Sequence, residues 1–206
     1  PDTLVVVNCA GRTRSIIGAQ SLINAGVPNK VLALRNGTMG WHLAGLTVER
    51  NAGRRPPGPT PQGLAEARAA AERVAARAGV RVIDRAALAR FQAESDRRSI
   101  YLLDVRSPEE YVAGHLPGSR SAPGGQLVQA TDAYVGTLNA RLVLVDDDGV
   151  RALMTASWIL QLGWDEIYVL GNALAGASLE TGLEPRQILA VETTEPAAIT
   201  AMELKA

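Results

Sequence analysis

One cysteine, Cys9, stands in a chain of 206 residues. An internal disulfide is therefore excluded, and a reducing, cytoplasmic setting is expected. No apolar run approaches the roughly 18 residues that a membrane-spanning helix requires. The first residues lack a basic segment followed by an apolar stretch and a cleavage site, so no signal peptide is read. Charge of either sign is also missing in excess: 21 basic and 21 acidic residues cancel. This balance gives no electrostatic reason to expect nucleic acid or an anionic membrane as partner. What remains is ordinary for a soluble globular protein, with 47% hydrophobic and 20% charged residues and length for one large or two small domains. The chain begins at Pro1 rather than Met, which reads as a processed chain or a fragment.

Short β-branched or aliphatic runs alternate with helical spacing. Residues 5–7, 31–34, 82–83, 101–105, 142–145 and 167–170 read as strands of a buried parallel sheet. Helices are expected from Ser15 to Gly26, over 64–78, from the Asp84 cap through Phe91, from Pro108, and over 154–162. Asn36-Gly37 signals a turn. The alanine-rich 64–78 segment reads as a linker or cover helix. The stretch Arg54-Arg55-Pro56-Pro57-Gly58-Pro59-Thr60-Pro61 admits neither a helix nor a central strand, and marks a domain boundary.

An internal repeat organises the rest. Leu4-Val5-Val6-Val7-Asn8-Cys9-Ala10-Gly11 overlays Leu142-Val143-Leu144-Val145-Asp146-Asp147-Asp148-Gly149 without a gap, and residues 31–34 then fall opposite 167–170. This overlay sets Asp147 opposite Cys9. The expected organisation is the C-terminal half of one domain at 1–53, a linker and helix at 54–78, a complete domain at 79–185, and at 186–206 a tail or the start of a further repeat.

Three ordered motifs resemble those of the rhodanese family. Asp104-Val105-Arg106, Glu109-Glu110-Tyr111 and Gly114-His115-Leu116-Pro117-Gly118-Ser119 are similar to the front-half signature of its domains. Cys9-Ala10-Gly11-Arg12-Thr13-Arg14-Ser15 resembles the active-site loop, and residues 37–45, with Trp41, the closing segment. More narrowly, the chain is similar to multi-repeat thiosulfate sulfurtransferases in which active and inactive units alternate. The resemblance implies an α/β, three-layer fold around a central parallel five-stranded sheet, one complete copy plus the C-terminal half of another. It implies sulfur transfer from thiosulfate to a thiol or cyanide acceptor through a Cys9 persulfide, with no cofactor and no metal.

The loop chemistry agrees with that reading. A thiol beside Arg12 and Arg14, near a helix start, favours its thiolate. Backbone N–H groups of Ala10, Gly11, Arg12, Thr13, Arg14 and Ser15 would cradle an anion, Gly11 would let the chain curl, and either arginine could pair with sulfonate oxygens. A cysteine phosphatase shares this layout but carries arginine six positions after its cysteine, where this chain has Ser15. Asp146-Asp147-Asp148 cannot carry a persulfide, so the second domain is expected to be inactive, its carboxylates solvated or capping a helix rather than holding metal. His115 reads as a turn residue, His42 as packing, and Asp104 with Arg106 as a structural ion pair. The alternative is a non-catalytic rhodanese-like interaction module. A homodimer or a retained N-terminal fragment would complete the first domain.

Overall fold

The computed structural model describes residues 2–50, 53, 57–184 and 199–205. Five parallel strands form the main sheet: β3 (Arg81–Ile83), β4 (Ile100–Asp104), β5 (Arg120–Ser121), β6 (Arg141–Val145) and β7 (Ile167–Leu170), in the spatial order β3-β7-β6-β4-β5. A separate two-stranded parallel sheet pairs β1 (Val5–Val7) with β2 (Val31–Ala33). The expected strands are all present. The short β5, the helix α6 (Gly124–Gln129) and the 3-10 turn Thr131–Ala133 lie where the sequence suggested no element.

Parallel strands buried on both faces need continuous apolar runs, and β6 supplies one. Leu142, Val143, Leu144 and Val145 are all fully buried. One core cluster joins Leu103, Leu142 and Leu144 with Ile159 of α7 (Arg151–Gln161) and with Ala71 and Ala75 of α3 (Pro61–Ala78). The other joins Val143, Val145 and Leu170 with Leu88 of α4 (Arg85–Ala93). Each buried aliphatic side chain contributes about 2 kcal/mol relative to exposure.

Local chemistry fixes the helix starts. The Thr60 side chain accepts from Gly63 N–H with Pro61 in the first turn, and Asp84 accepts from Ala87 N–H at 2.7 Å. Ser107 and Glu110 form a capping box on α5 (Pro108–Ala113). The alanine-rich α3 is a cover helix, burying Ala71, Val74 and Ala75. Part of the Pro/Arg-rich boundary, residues 54–56, lies outside the described residues.

The front-half signature is structural in this unit. Asp104 is fully buried and accepts from Arg106 Nη2 at 2.6 Å and Nε at 2.9 Å; Arg106 Nη2 also donates to the Gly114 carbonyl. His115 is buried, stacked on Tyr111 with ring centroids 3.8 Å apart, its Nδ1 2.8 Å from the Tyr111 carbonyl oxygen. Removing one partner of a buried ion pair strands the other charge. Asp104→Ala is therefore expected to lower unfolding free energy by about 3–5 kcal/mol in urea titrations, whereas Leu138→Ala, at a largely exposed side chain, leaves it within about 0.5 kcal/mol.

Candidate active site

Cys9 sits one residue beyond Asn8, at the carboxyl end of β1 and ahead of helix α1 (Thr13–Ala25). In open parallel sheets, ligands bind at this end of the strands. Its Sγ accepts a hydrogen bond from the fully buried Ser15 hydroxyl at 3.0 Å. That bond is the leading cause of a thiol pKa below its ordinary value. Partial burial opposes it, and the N–H groups of Ser15 and Gly11 and the Arg14 charge reinforce it. The helix following the thiol has no side-chain cap at its N-terminus, so its first-turn donors are left to the loop and to whatever binds there.

The loop is held open from behind. Thr38 and Met39 N–H groups, on helix α2 (Gly37–Leu43), donate to the carbonyls of Cys9 and Ala10, both at 2.9 Å. This draws the loop carbonyls away from the thiol. Gly37 makes the approach possible: its φ is +56°, and a Cβ there would collide with the carbonyl oxygens of Cys9 and Gly11. Gly11 itself has neither a positive φ nor a close neighbour, so the curl expected of it belongs to Gly37. Sequence reasoning read Gly37 as a turn and as the start of the closing segment, but not as a neighbour of the cysteine loop, because that constraint comes from almost thirty residues away.

The remaining loop residues divide. Ala10 and Thr13 are exposed and Gly11 is half-buried. Of the two arginines, Arg14 is half-buried and its charge acts on the thiol, whereas Arg12 is exposed and lines a separate cavity of about 400 Å³ with Ile16 and Arg35. The backbone donors acting on Sγ are those of Gly11 and Ser15. Ser15, expected only for its N–H, contributes its hydroxyl as well. His42 is exposed.

The second unit repeats the layout with one correction to the sequence overlay. Val5 N–H donates to the Lys30 carbonyl, and Leu142 N–H donates to the Glu166 carbonyl. Val5 therefore matches Leu142, and four residues on, Cys9 matches Asp146 rather than Asp147. Side chains agree. Cys9 Sγ meets Ser15, six positions on, and Asp146 Oδ2 accepts from Ala152 N–H, also six positions on, at 2.9 Å. Asp146 Oδ1 accepts from Gly149 N–H, and Asp148 Oδ1 accepts from Val150 N–H at 2.8 Å. The carboxylates thus cap α7. Asp147 instead pairs with Arg151, which also binds Glu110 through two nitrogens at 2.7 and 3.0 Å.

Residues 87–177 match the rhodanese-like domain. That stretch, within the second unit, is similar to a rhodanese-like domain. A crystal structure of thiosulfate sulfurtransferase from Pseudomonas aeruginosa is 59% identical to it with a TM-score of 0.83, covering 90% of this chain and 35% of that one. This chain thus spans about a third of that protein. The thiosulfate sulfurtransferase GlpE of Pseudomonas paraeruginosa is 32% identical over 69 residues, 34% of this chain and 61% of the relative. GlpE of Pseudoalteromonas translucida is 25% identical over 73 residues, 35% of this chain and 68% of the relative. The five-stranded rhodanese-like fold read from the motifs is the fold observed.

Burial, with Asp148 alongside, raises the Asp146 carboxyl to about 6, against the opposing N–H bonds of Ala152 and Gly149. An acid whose folded pKa exceeds its unfolded value of 3.8 takes up a proton on folding between those two values. The Asp146 contribution therefore makes the fold more stable as pH falls from above 6 towards 4. Glu110 acts oppositely and lower down: hydrogen bonding to Arg151 holds it at about 2, so its stabilisation is present above 4.5 and lost as pH falls towards 2. Urea unfolding of Asp146→Asn between pH 4 and 7 should lack the gain that the unsubstituted chain shows on acidification. Identical pH profiles would contradict the assignment.

Proposed function

We propose that this protein is a thiosulfate sulfurtransferase that carries sulfur on Cys9. The observation that carries the reading is the thiol at an uncapped helix start, accepting from the buried Ser15 hydroxyl with Arg14 close by. The sulfurtransferase relatives named above support it.

In the first step, the Cys9 thiolate attacks the outer sulfur of thiosulfate. The bond between the two sulfurs of thiosulfate breaks, and sulfite leaves with the electron pair. Cys9 is then a persulfide, and an acceptor thiolate or cyanide takes the outer sulfur while the Cys9 thiolate departs. Thiosulfate, the departing sulfite and the persulfide are all anionic. The first-turn N–H groups of α1 and the Arg14 guanidinium supply positive potential where that charge sits. No cofactor takes part in these steps.

The second unit keeps the scaffold without the chemistry. A carboxylate cannot be loaded with sulfur, and Asp146 and Asp148 already occupy the N–H groups that would hold an anion. Its role in this reading is structural or regulatory.

Residues 1–53 read as the back half of the catalytic domain. The strands themselves support this: Val6 is 49% and Leu32 44% exposed, while their counterparts Val143 and Tyr168 are 0% and 8% exposed beneath the front half of their unit. A front half like residues 79–140 would pair with both open edges of the β1-β2 sheet. It could come from the same protein, from a retained N-terminal fragment or from a dimer partner. At the other end, Thr200 and Glu203 cap a short helix, α8 (Ala201–Lys205), as the start of a further repeat would require; residues 185–198 lie outside the described residues. Among the described residues no helix is long and apolar enough to cross a membrane, and the single free thiol supports a reducing, cytoplasmic compartment.

Intact mass after incubation with thiosulfate tests the reading. The protein should gain one sulfur atom, Cys9→Ser should gain none, and Asp146→Ala should gain one as before. Absence of the adduct from the unsubstituted protein, or its survival in Cys9→Ser, would overturn the assignment.

A further inference from the structure

Helix α1 carries two stripes. Ser15, Gly18 and Ala19 face its own sheet; Ser15 and Ala19 are buried, and a Cβ on Gly18 would stand 2.9 Å from Val7 Cγ1. Arg14, Ile17, Ser21 and Asn24, spaced i, i+3, i+7 and i+10, face the second unit. Ile17 packs on that unit's core. Ser21 Oγ accepts from Trp158 Nε1 at 2.8 Å, and the Asn24 carbonyl accepts from Arg77 Nη2 of α3 at 2.7 Å. At the top of the stripe, the Cγ and Cδ of Arg14 lie 4.0 and 3.9 Å from where a Cβ of Gly125 would be.

Arg14 and its counterpart Arg151 are thus held by different means. Arg151 is gripped by the carboxylates of Glu110 and Asp147, which neutralise it. Arg14 has no carboxylate partner among the described residues. Its stem runs beside α6, where a methyl group added at Gly125 would just touch it, and its charge stays available to the thiol and to an incoming anion.

We propose that Gly125 is a positioning residue for the Cys9 site, through which the second unit sets the reach of Arg14. This rests on the reading of Cys9 as the nucleophile, and it gives the unit without a cysteine a task in the chemistry of its neighbour. Three contacts fix the helix, and the bare backbone at 125 leaves the space in which the arginine stem lies. A methyl group fits there in ordinary van der Waals contact. Gly125 is exposed, and a longer side chain turned toward α1 displaces the Arg14 methylenes and the guanidinium with them. The adjacent glycine serves another purpose: a Cβ on Gly124 would collide with Thr155 Oγ1, so α6 could not sit so close to α7.

Gly125→Leu and Gly125→Ala separate this role from simple packing. The readouts are the pH dependence of Cys9 alkylation by iodoacetamide, and KM against kcat for thiosulfate. Gly125→Leu should shift the alkylation midpoint upward and raise KM by about 3- to 10-fold with a smaller change in kcat; Gly125→Ala should keep the original profile. In an Arg14→Ala background, Gly125→Leu should add nothing. The proposal is overturned if Gly125→Leu leaves the alkylation profile and KM unchanged, or shifts them equally with and without Arg14. Alkylation needs no turnover, so a protein that never accepts sulfur would fail as a sulfurtransferase while still testing the link from Gly125 to Cys9.

Discussion

The backbone N–H groups at the start of a helix that follows a parallel strand must be satisfied by something. In this chain that requirement is met twice with different groups. After β6, Asp146 and Asp148 fold back onto the first turn of α7 and fill its donors. After β1, no carboxylate folds back onto the first turn of α1; the group placed there is the Cys9 sulfur, which takes the Ser15 hydroxyl and N–H. One backbone arrangement therefore yields a self-satisfied helix cap in one unit and, in the other, a stabilised thiolate with donors to spare. Chemistry differs because the occupant differs.

Everything around the first loop keeps that difference in place. Helix α2 draws the loop carbonyls backward, which only a glycine at position 37 permits. The sheet beneath is thin, two strands with Val6 and Leu32 exposed, so α1 takes much of its support from α3, α6 and α7. The second unit can give that support because its own core is dense, with a fully buried β6 and a buried Asp104–Arg106 pair tying strand end to turn. Packing contacts run from the second unit to α1, the helix that follows the thiol.

Much of this was legible in the residues. Val5-Val6-Val7 and Leu142-Val143-Leu144-Val145 announce buried strands, while Asp84 and the Ser107/Glu110 box announce helix starts. The elements that escaped notice have no periodicity to show: β5 is two residues long, and α6 opens on Gly-Gly. The repeat was visible but its register was not. Both apolar runs open on leucine, so residue type sets Leu4 on Leu142, whereas the strand ladder sets Val5 there, one residue on. The slip moved the counterpart of Cys9 from Asp146 to Asp147. The hydroxyl bond of Ser15 and the collision at Gly37 also lay beyond sequence, because each depends on where the backbone turns in space.

The central claim is that Cys9 and Asp146 share one backbone position while their surroundings act on an acid there in opposite directions, and a transplanted thiol tests it most directly. The pH dependence of alkylation is measured for Cys9 in the unsubstituted chain and for the thiol introduced by Asp146→Cys in a Cys9→Ser background. The account predicts a midpoint below about 8.5 at Cys9, where the Ser15 hydroxyl donates, and above it at 146, where burial and Asp148 disfavour an anion. A midpoint at 146 as low as that of Cys9 would contradict the account.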